Sequence, residues 1–149
     1  MIRISIANPQ QTVAIDRAGM RRTAITVLEG EDIHEAEVSL AFVDNSTMQQ
    51  LNRRYLQHDE PTDVLSFPLS EPNVRRLAGE LVIGAEVAKA QAESRGHTVE
   101  AELALYVIHG LLHLCGYDDK AAADAAVIHQ RERLYLQRLG LPDIAPRGE

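Results

Sequence analysis

Ile2, Ile4 and Ile6 alternate with Arg3 and Ser5, the period-two pattern of a strand with one buried face. Val38, Leu40 and Phe42 repeat it further on. Between them Met20, Ala24, Val27 and Leu28 form a helical stripe, with Asp16 placed to cap it and Gly30 to end it. Ser46 and Gln49 have capping-box spacing and open a second helix. Met48, Leu51 and Tyr55 share one of its faces, and Arg53 and Arg54 lie off that face. Val64 to Phe67 reads as a third strand and Gly79 to Gly84 as a fourth, with a polar connection from Ser70 to Arg76 between them. A short helix follows to about Ser94, and Arg95-Gly96-His97 breaks it. Thr98 caps the next helix, whose first turn carries Glu100 and Glu102, where negative charge is favoured. A last helix spans roughly Lys120 to Leu139, closed by Gly140 and Pro142. No repeat, low-complexity run or internal linker interrupts the order. It predicts one α+β domain over residues 1–149, a mixed four-stranded sheet packed with helices.

The helix from Thr98 to Leu114 departs from the amphipathic pattern. Leu103, Leu105, Val107, Ile108, Leu111, Leu112 and Leu114 make it apolar nearly all round, so it is expected to be buried. His109 and His113 lie in it at i and i+4 and share a face. Two buried imidazoles without partners would cost about 1–3 kcal/mol each, and one divalent metal satisfies both. Gly116 ends the helix and lets the chain turn back, so that Asp119 can approach the same point. His109-x-x-x-His113-x-x-Gly116-x-x-Asp119 is the ligand spacing of the metzincin proteases, with aspartate in place of the third histidine. Core histidines bonded to backbone or carboxylates are the bland alternative for one histidine; the four-part pattern favours metal. Three protein ligands leave a position for water, as in catalytic sites, and the N and O donors suit one zinc per chain, with nickel or manganese as alternatives.

The residues around this pattern take lesser roles. Asp118 is one residue short of the third position and is expected to bond a histidine N–H from behind. His34, His58, His97 and His129 read as surface or structural, with His97 and His129 as spare ligands. Cys115, on another helix face, reads as a small buried hydrophobe. The metzincin general base is a glutamate directly after the first histidine; here that position is Gly110, which cannot take a proton.

The bulk composition narrows the partners. The chain has 149 residues, 45% hydrophobic and 25% charged, enough for a packed core without a structural metal. A net charge of −7 argues against indiscriminate nucleic-acid binding, so any RNA contact must come from a local patch such as Arg21-Arg22, Arg53-Arg54 or Arg75-Arg76. The single cysteine and the absence of a signal-like opening point to a reducing cytoplasm, and no apolar run is long enough to span a membrane.

At two places the sequence resembles the YbeY family of bacterial metal-dependent endoribonucleases. They are His109-Gly-Leu-Leu-His-Leu-Cys-Gly-Tyr-Asp118 and Pro61-Thr-Asp-Val-Leu-Ser-Phe-Pro68. Leu51-Asn52, Gly79-Glu80-Leu-Val-Ile-Gly84 and Gly96-His97 add to the resemblance, which runs in order through nearly the whole chain. Two positions depart from the family pattern: Asp119 stands where the family has histidine, and Leu56 follows Tyr55 where it has arginine. The resemblance implies an α+β fold with a mixed sheet, a three-residue zinc site, a cytoplasmic location and a role in ribosomal RNA maturation.

The expected function is therefore a single-strand-specific endoribonuclease in 16S rRNA 3′-end processing, ribosome maturation and quality control, using a zinc-activated water. Its partners would be ribosomal RNA and a ribosomal subunit or assembly proteins, with Arg53 and Arg54 contacting RNA. Asp63, Glu80 and Asp118 are open candidates for the general base, which the sequence does not identify. The competing readings are a zinc-dependent peptidase, and a non-catalytic ribosome-assembly factor stiffened by its metal.

Overall fold

The computed structural model describes residues 1–56, 62–71 and 76–146. Pro61, Arg75, His58 and the middle of the Ser70 to Arg76 connection therefore lie outside the described residues. Four strands and five helices follow in the order β1 (Ile2–Ala7), α1 (Arg17–Gly30), β2 (Glu35–Val43), α2 (Asn45–Leu56), β3 (Val64–Pro68), β4 (Arg76–Gly84), α3 (Ala85–Arg95), α4 (Val99–Leu114) and α5 (Ala122–Arg138). The strands form one mixed sheet in the order β1-β2-β4-β3. β1, β2 and β4 run parallel, and β3 is the antiparallel edge. This is the expected α+β domain.

The helix starts follow local chemistry. Asp16 Oδ1 accepts the Gly19 N–H at 3.0 Å, and Thr98 Oγ1 accepts that of Ala101 at 3.1 Å, so both expected caps are present. Helix α2 starts differently. Asp44, not Ser46, caps it, with Oδ1 taking the Thr47 N–H at 2.8 Å and the carbonyl that of Met48 at 3.0 Å. Met48 and Asn52 are its buried positions; Tyr55 is 53% exposed and rests edge-on against Phe67 instead of joining a buried stripe. Helix α1 continues through Gly30, and the chain turns at Asp32, whose φ is 61°. Strand β4 begins three residues before Gly79 because β2 offers it a template from Glu35 onward, where Arg76 also pairs with the Glu35 carboxylate at 2.8 Å.

Helix α4 is the centre of the molecule. It packs against β3, β4, α1, α3 and α5, and 12 of its 16 residues are buried. Close approach to the sheet is permitted at Gly110, where an added Cβ would lie 2.8 Å from Leu81 Cδ2. Ser66 of β3 donates to the Gly110 carbonyl at 3.2 Å and fastens the edge strand to the same spot. Gly79 and Leu81 face α4, so by strand alternation Glu80 between them faces away.

Candidate metal site

The sequence places two imidazoles on one face of α4, and the end of that helix decides what joins them. Gly116, at φ 105°, terminates it in a Schellman arrangement. The Gly116 N–H donates to the His113 carbonyl and the Tyr117 N–H to that of Leu112, both at 3.0 Å. Asp118 Oδ1 then accepts the Asp119 N–H at 2.7 Å and that of Lys120 at 3.3 Å, which folds the loop back. Tyr117 pins it by donating to Glu31 Oε1 at 2.6 Å. Asp119 is thereby returned over the histidines.

The three side chains converge. His109 Nε2 and His113 Nε2 lie 3.0 Å apart, and Asp119 Oδ2 is 3.4 Å from the first and 3.6 Å from the second. Ligand atoms held about 2.0–2.2 Å from one ion in tetrahedral geometry lie roughly 3.3–3.6 Å apart. The described group His109, His113 and Asp119 therefore has the spacing and donor chemistry to hold a metal ion. Two nitrogens and one oxygen fit a borderline transition metal.

The support behind His109 is the part the sequence reading missed. Glu132 of α5, 1% exposed, accepts from His109 Nδ1 at 2.9 Å through Oε2 and meets His129 Nδ1 at 2.5 Å through Oε1. A carboxylate facing Nδ1 keeps the proton there, so the Nε2 lone pair faces the site. Asp118, expected in this role, is spent on the loop. Burial works against a charge on His109. The Glu132 hydrogen bond and charge, with the charges of Asp63 and Asp119, outweigh it and raise the imidazole above its ordinary range. Glu132 was legible in principle, because it shares the buried stripe of α5 with Ile128, Tyr135 and Leu136. Between Arg131 and Arg133 it passes for a solvated charge.

A cleft of about 510 Å³ opens beside the site, with Thr62, Asp63, Arg95, Tyr106, His109, Asp119, His129 and Glu132 among its lining residues. Of the three base candidates Asp63 lines it, Glu80 lies on the far face of the sheet, and Asp118 turns its Oδ1 into the loop. His97 is structural, bonded to Glu102 at 2.5 Å, and His34 pairs with Asp32 at the surface. His129 lines the cleft, but its Nδ1 is committed to Glu132. Cys115 is half-buried, and burial pushes its thiol up to about 12, in keeping with a hydrophobe's role. Arg53 and Arg54 sit exposed in the last turn of α2 and are absent from the cleft lining.

Comparison with known proteins agrees in sequence and in fold. Residues 5–140 match the family model described as Endoribonuclease YbeY. The Carboxydothermus hydrogenoformans protein named Endoribonuclease YbeY is 38% identical over 138 residues, covering 91% of this chain and 96% of that one. A protein of the same name from Anaeromyxobacter dehalogenans is 37% identical, over 99% of this chain and 76% of its own length. The solution structure of TM1509 from Thermotoga maritima superposes with a TM-score of 0.65 at 27% identity, covering 93% of this chain and 89% of that one. Among the described residues no helix is long and apolar enough to cross a membrane.

Proposed function

This chain belongs to the YbeY endoribonuclease family, and on that premise we propose that it is a single-strand-specific endoribonuclease holding one zinc ion through His109, His113 and Asp119. We place its work in 16S rRNA 3′-end processing and ribosome quality control in the cytoplasm, with a ribosomal subunit or its assembly proteins as partners. The observation that carries the reading is the convergence of three candidate ligand atoms 3.0–3.6 Å apart, with His109 and Asp119 on the wall of an open cleft.

The ion, when bound, supplies Lewis acidity toward a phosphoryl oxygen and makes water a better nucleophile. The chain's own residues do the rest. Glu132 holds the Nδ1 proton of His109 and fixes its ring. Asp119 adds an anionic donor, which lowers the site's net charge by one relative to a third histidine. Asp63 is the base candidate facing the cleft, and its Oδ1 is oriented by the Val64 N–H at 2.7 Å. Unpaired RNA suits such a cleft, because a single strand can bend to bring a phosphate to the ligand cluster, whereas an A-form duplex is too wide and stiff to enter. Arg53 and Arg54 would hold the strand outside the cleft, through contacts weakened by salt.

The peptidase reading loses ground at Gly110. Its Cα hydrogen points at Leu81 and Val64, so a glutamate there would drive into the sheet instead of reaching the ligands. The deciding experiment is metal analysis of the purified protein together with RNA and casein cleavage assays on the wild type and His113→Ala. One transition-metal ion per chain, with RNA cleavage lost in the variant and no casein cleavage, supports the proposal. Casein cleavage that disappears with His113→Ala overturns it.

A further inference from the structure

The cleft has an electrostatic problem as a binding place for RNA. Asp63, Asp119 and Glu132 line it, and a polyanion must enter. Among the described residues lining it, Arg95 is the one lysine or arginine. It ends α3, and the left-handed Gly96 (φ 75°) turns the chain there toward α4.

The surroundings of Arg95 are built. Glu102, in the first turn of α4, is fully buried. Its Oε1 meets His97 Nε2 at 2.5 Å and Arg95 Nη1 at 3.6 Å, and its Oε2 has no hydrogen-bond partner. A carboxylate removed from water with one oxygen unpaired is costly. It attracts the guanidinium without satisfying it, since 3.6 Å exceeds a hydrogen bond. The Arg95 side chain stays 51% exposed and lines the cleft, so its guanidinium keeps N–H donors for another partner. Glu102 is seven residues before His109 on one straight helix, or about 10 Å along its axis. Arg95, His109 and Asp119 line one cleft, so the cation can meet a phosphate of the same strand away from the scissile one.

Resting on the nuclease reading above, we propose that Arg95 is a phosphate-binding residue of the metal cleft, and that buried Glu102 is the positioning residue that aims it. A guanidinium that only neutralised Glu102 would not need to line the cleft.

The test is steady-state cleavage of a labelled single-stranded oligoribonucleotide by the metal-loaded protein at several salt concentrations. Wild type, Arg95→Ala, Arg95→Lys and the double variant Arg95→Ala/Glu102→Gln are compared, with thermal unfolding to confirm folding. Arg95→Ala is expected to raise KM roughly tenfold, more than it lowers kcat, and to reduce the salt dependence of log KM by about 0.7. Arg95→Lys should keep the salt dependence. The double variant should retain the high KM, because neutralising Glu102 does not replace the lost phosphate contact. Restoration of KM in the double variant, or a KM and salt dependence in Arg95→Ala equal to the wild type's, would overturn the inference while leaving the nuclease reading intact. Absence of RNA cleavage by the metal-loaded wild type overturns the nuclease reading itself, and this inference with it.

Discussion

Glu132 and His109 are hydrogen-bonded across the α4–α5 interface at 2.9 Å, and the carboxylate is 1% exposed. The pair ties the His109–His113–Asp119 cluster to the core, because the imidazole cannot rotate without leaving the buried Glu132 Oε2 unpaired. Supports of this kind are worth about 10–100-fold in metal affinity. Glu132→Gln should therefore weaken binding toward the lower end of that range and Glu132→Ala toward the upper end, as measured by chelator competition. Wild-type affinity in both variants would show that His109 is oriented by something else.

Asp119 should complete the site and Asp118 should not. Asp119→Ala removes one of three donors, so stoichiometric binding should be lost or fall by orders of magnitude. Asp118→Ala removes two loop hydrogen bonds at an exposed position and should have a smaller effect. Asp119→His keeps a donor and should retain metal. Equal metal content in the Asp119→Ala variant and the wild type would sink the assignment.

The pH dependence of binding has a definite sign. Only the unprotonated imidazole nitrogen ligates, so protons compete with the ion. His109 is held above its ordinary value of 6.5, against burial, by Glu132, Asp63 and Asp119. Affinity should be full at alkaline pH and begin to fall, as pH drops, while still above 6.5. Titration of metal binding between pH 5 and 9 checks this; a decline that starts only well below 6.5 contradicts it.

Sequence reading brought His109, His113 and Asp119 together because every element of that cluster is local. A helical pair, a glycine and a carboxylate in the next loop are all set by spacing within one segment. The same logic gave the four strands and the caps at Asp16 and Thr98. It failed where a long-range partner decides. Glu132 and His109 are 23 residues apart, and Glu102 stays buried because His97 and Arg95 come back to it across a turn. Pattern analysis puts glutamates at helix starts and beside arginines into solvent by default. Asp44 displaced Ser46 as a cap because both have capping chemistry, and only the path out of β2 selects between them.

Gly110 has a steric duty that separates this site from the proteases with similar spacing. A Cβ there would meet Leu81, which is fully buried, at 2.8 Å and Val64 Cγ2 at 3.1 Å. Gly110→Ala should destabilise by up to about 2 kcal/mol, because overpacking of about 1–3 kcal/mol exceeds the gain of about 1 kcal/mol in helix propensity. Gly110→Glu should destabilise by several times that amount and gain no peptidase activity. A stable Gly110→Glu variant that cleaved casein would reverse the geometric argument.

Glu31 governs how the loop carrying Asp119 is held. Its carboxylate accepts from Tyr117, Tyr135 and Arg131, and so joins the end of α1 to that loop and to α5. Burial alone would raise its pKa, but the hydrogen bonds from Tyr117, Tyr135 and Arg131 outweigh it and hold the group below its ordinary 4.5. A depressed folded-state value means that the ionised network stabilises the fold above about pH 4.5 and that this contribution is lost as pH falls through the folded value. Glu31→Gln keeps the size, removes the charge, and should cost about 1–3 kcal/mol at pH 7. The difference in unfolding free energy between wild type and variant should shrink as pH is lowered from 5 toward 3, because the wild-type carboxyl becomes neutral too. Denaturant unfolding across that range measures it. The same variant should loosen the Tyr117 anchor and weaken metal binding at pH 7, an effect that a purely local stability role would not produce. A difference that stayed constant with pH, with metal affinity unchanged, would show that the network is independent of the loop's position.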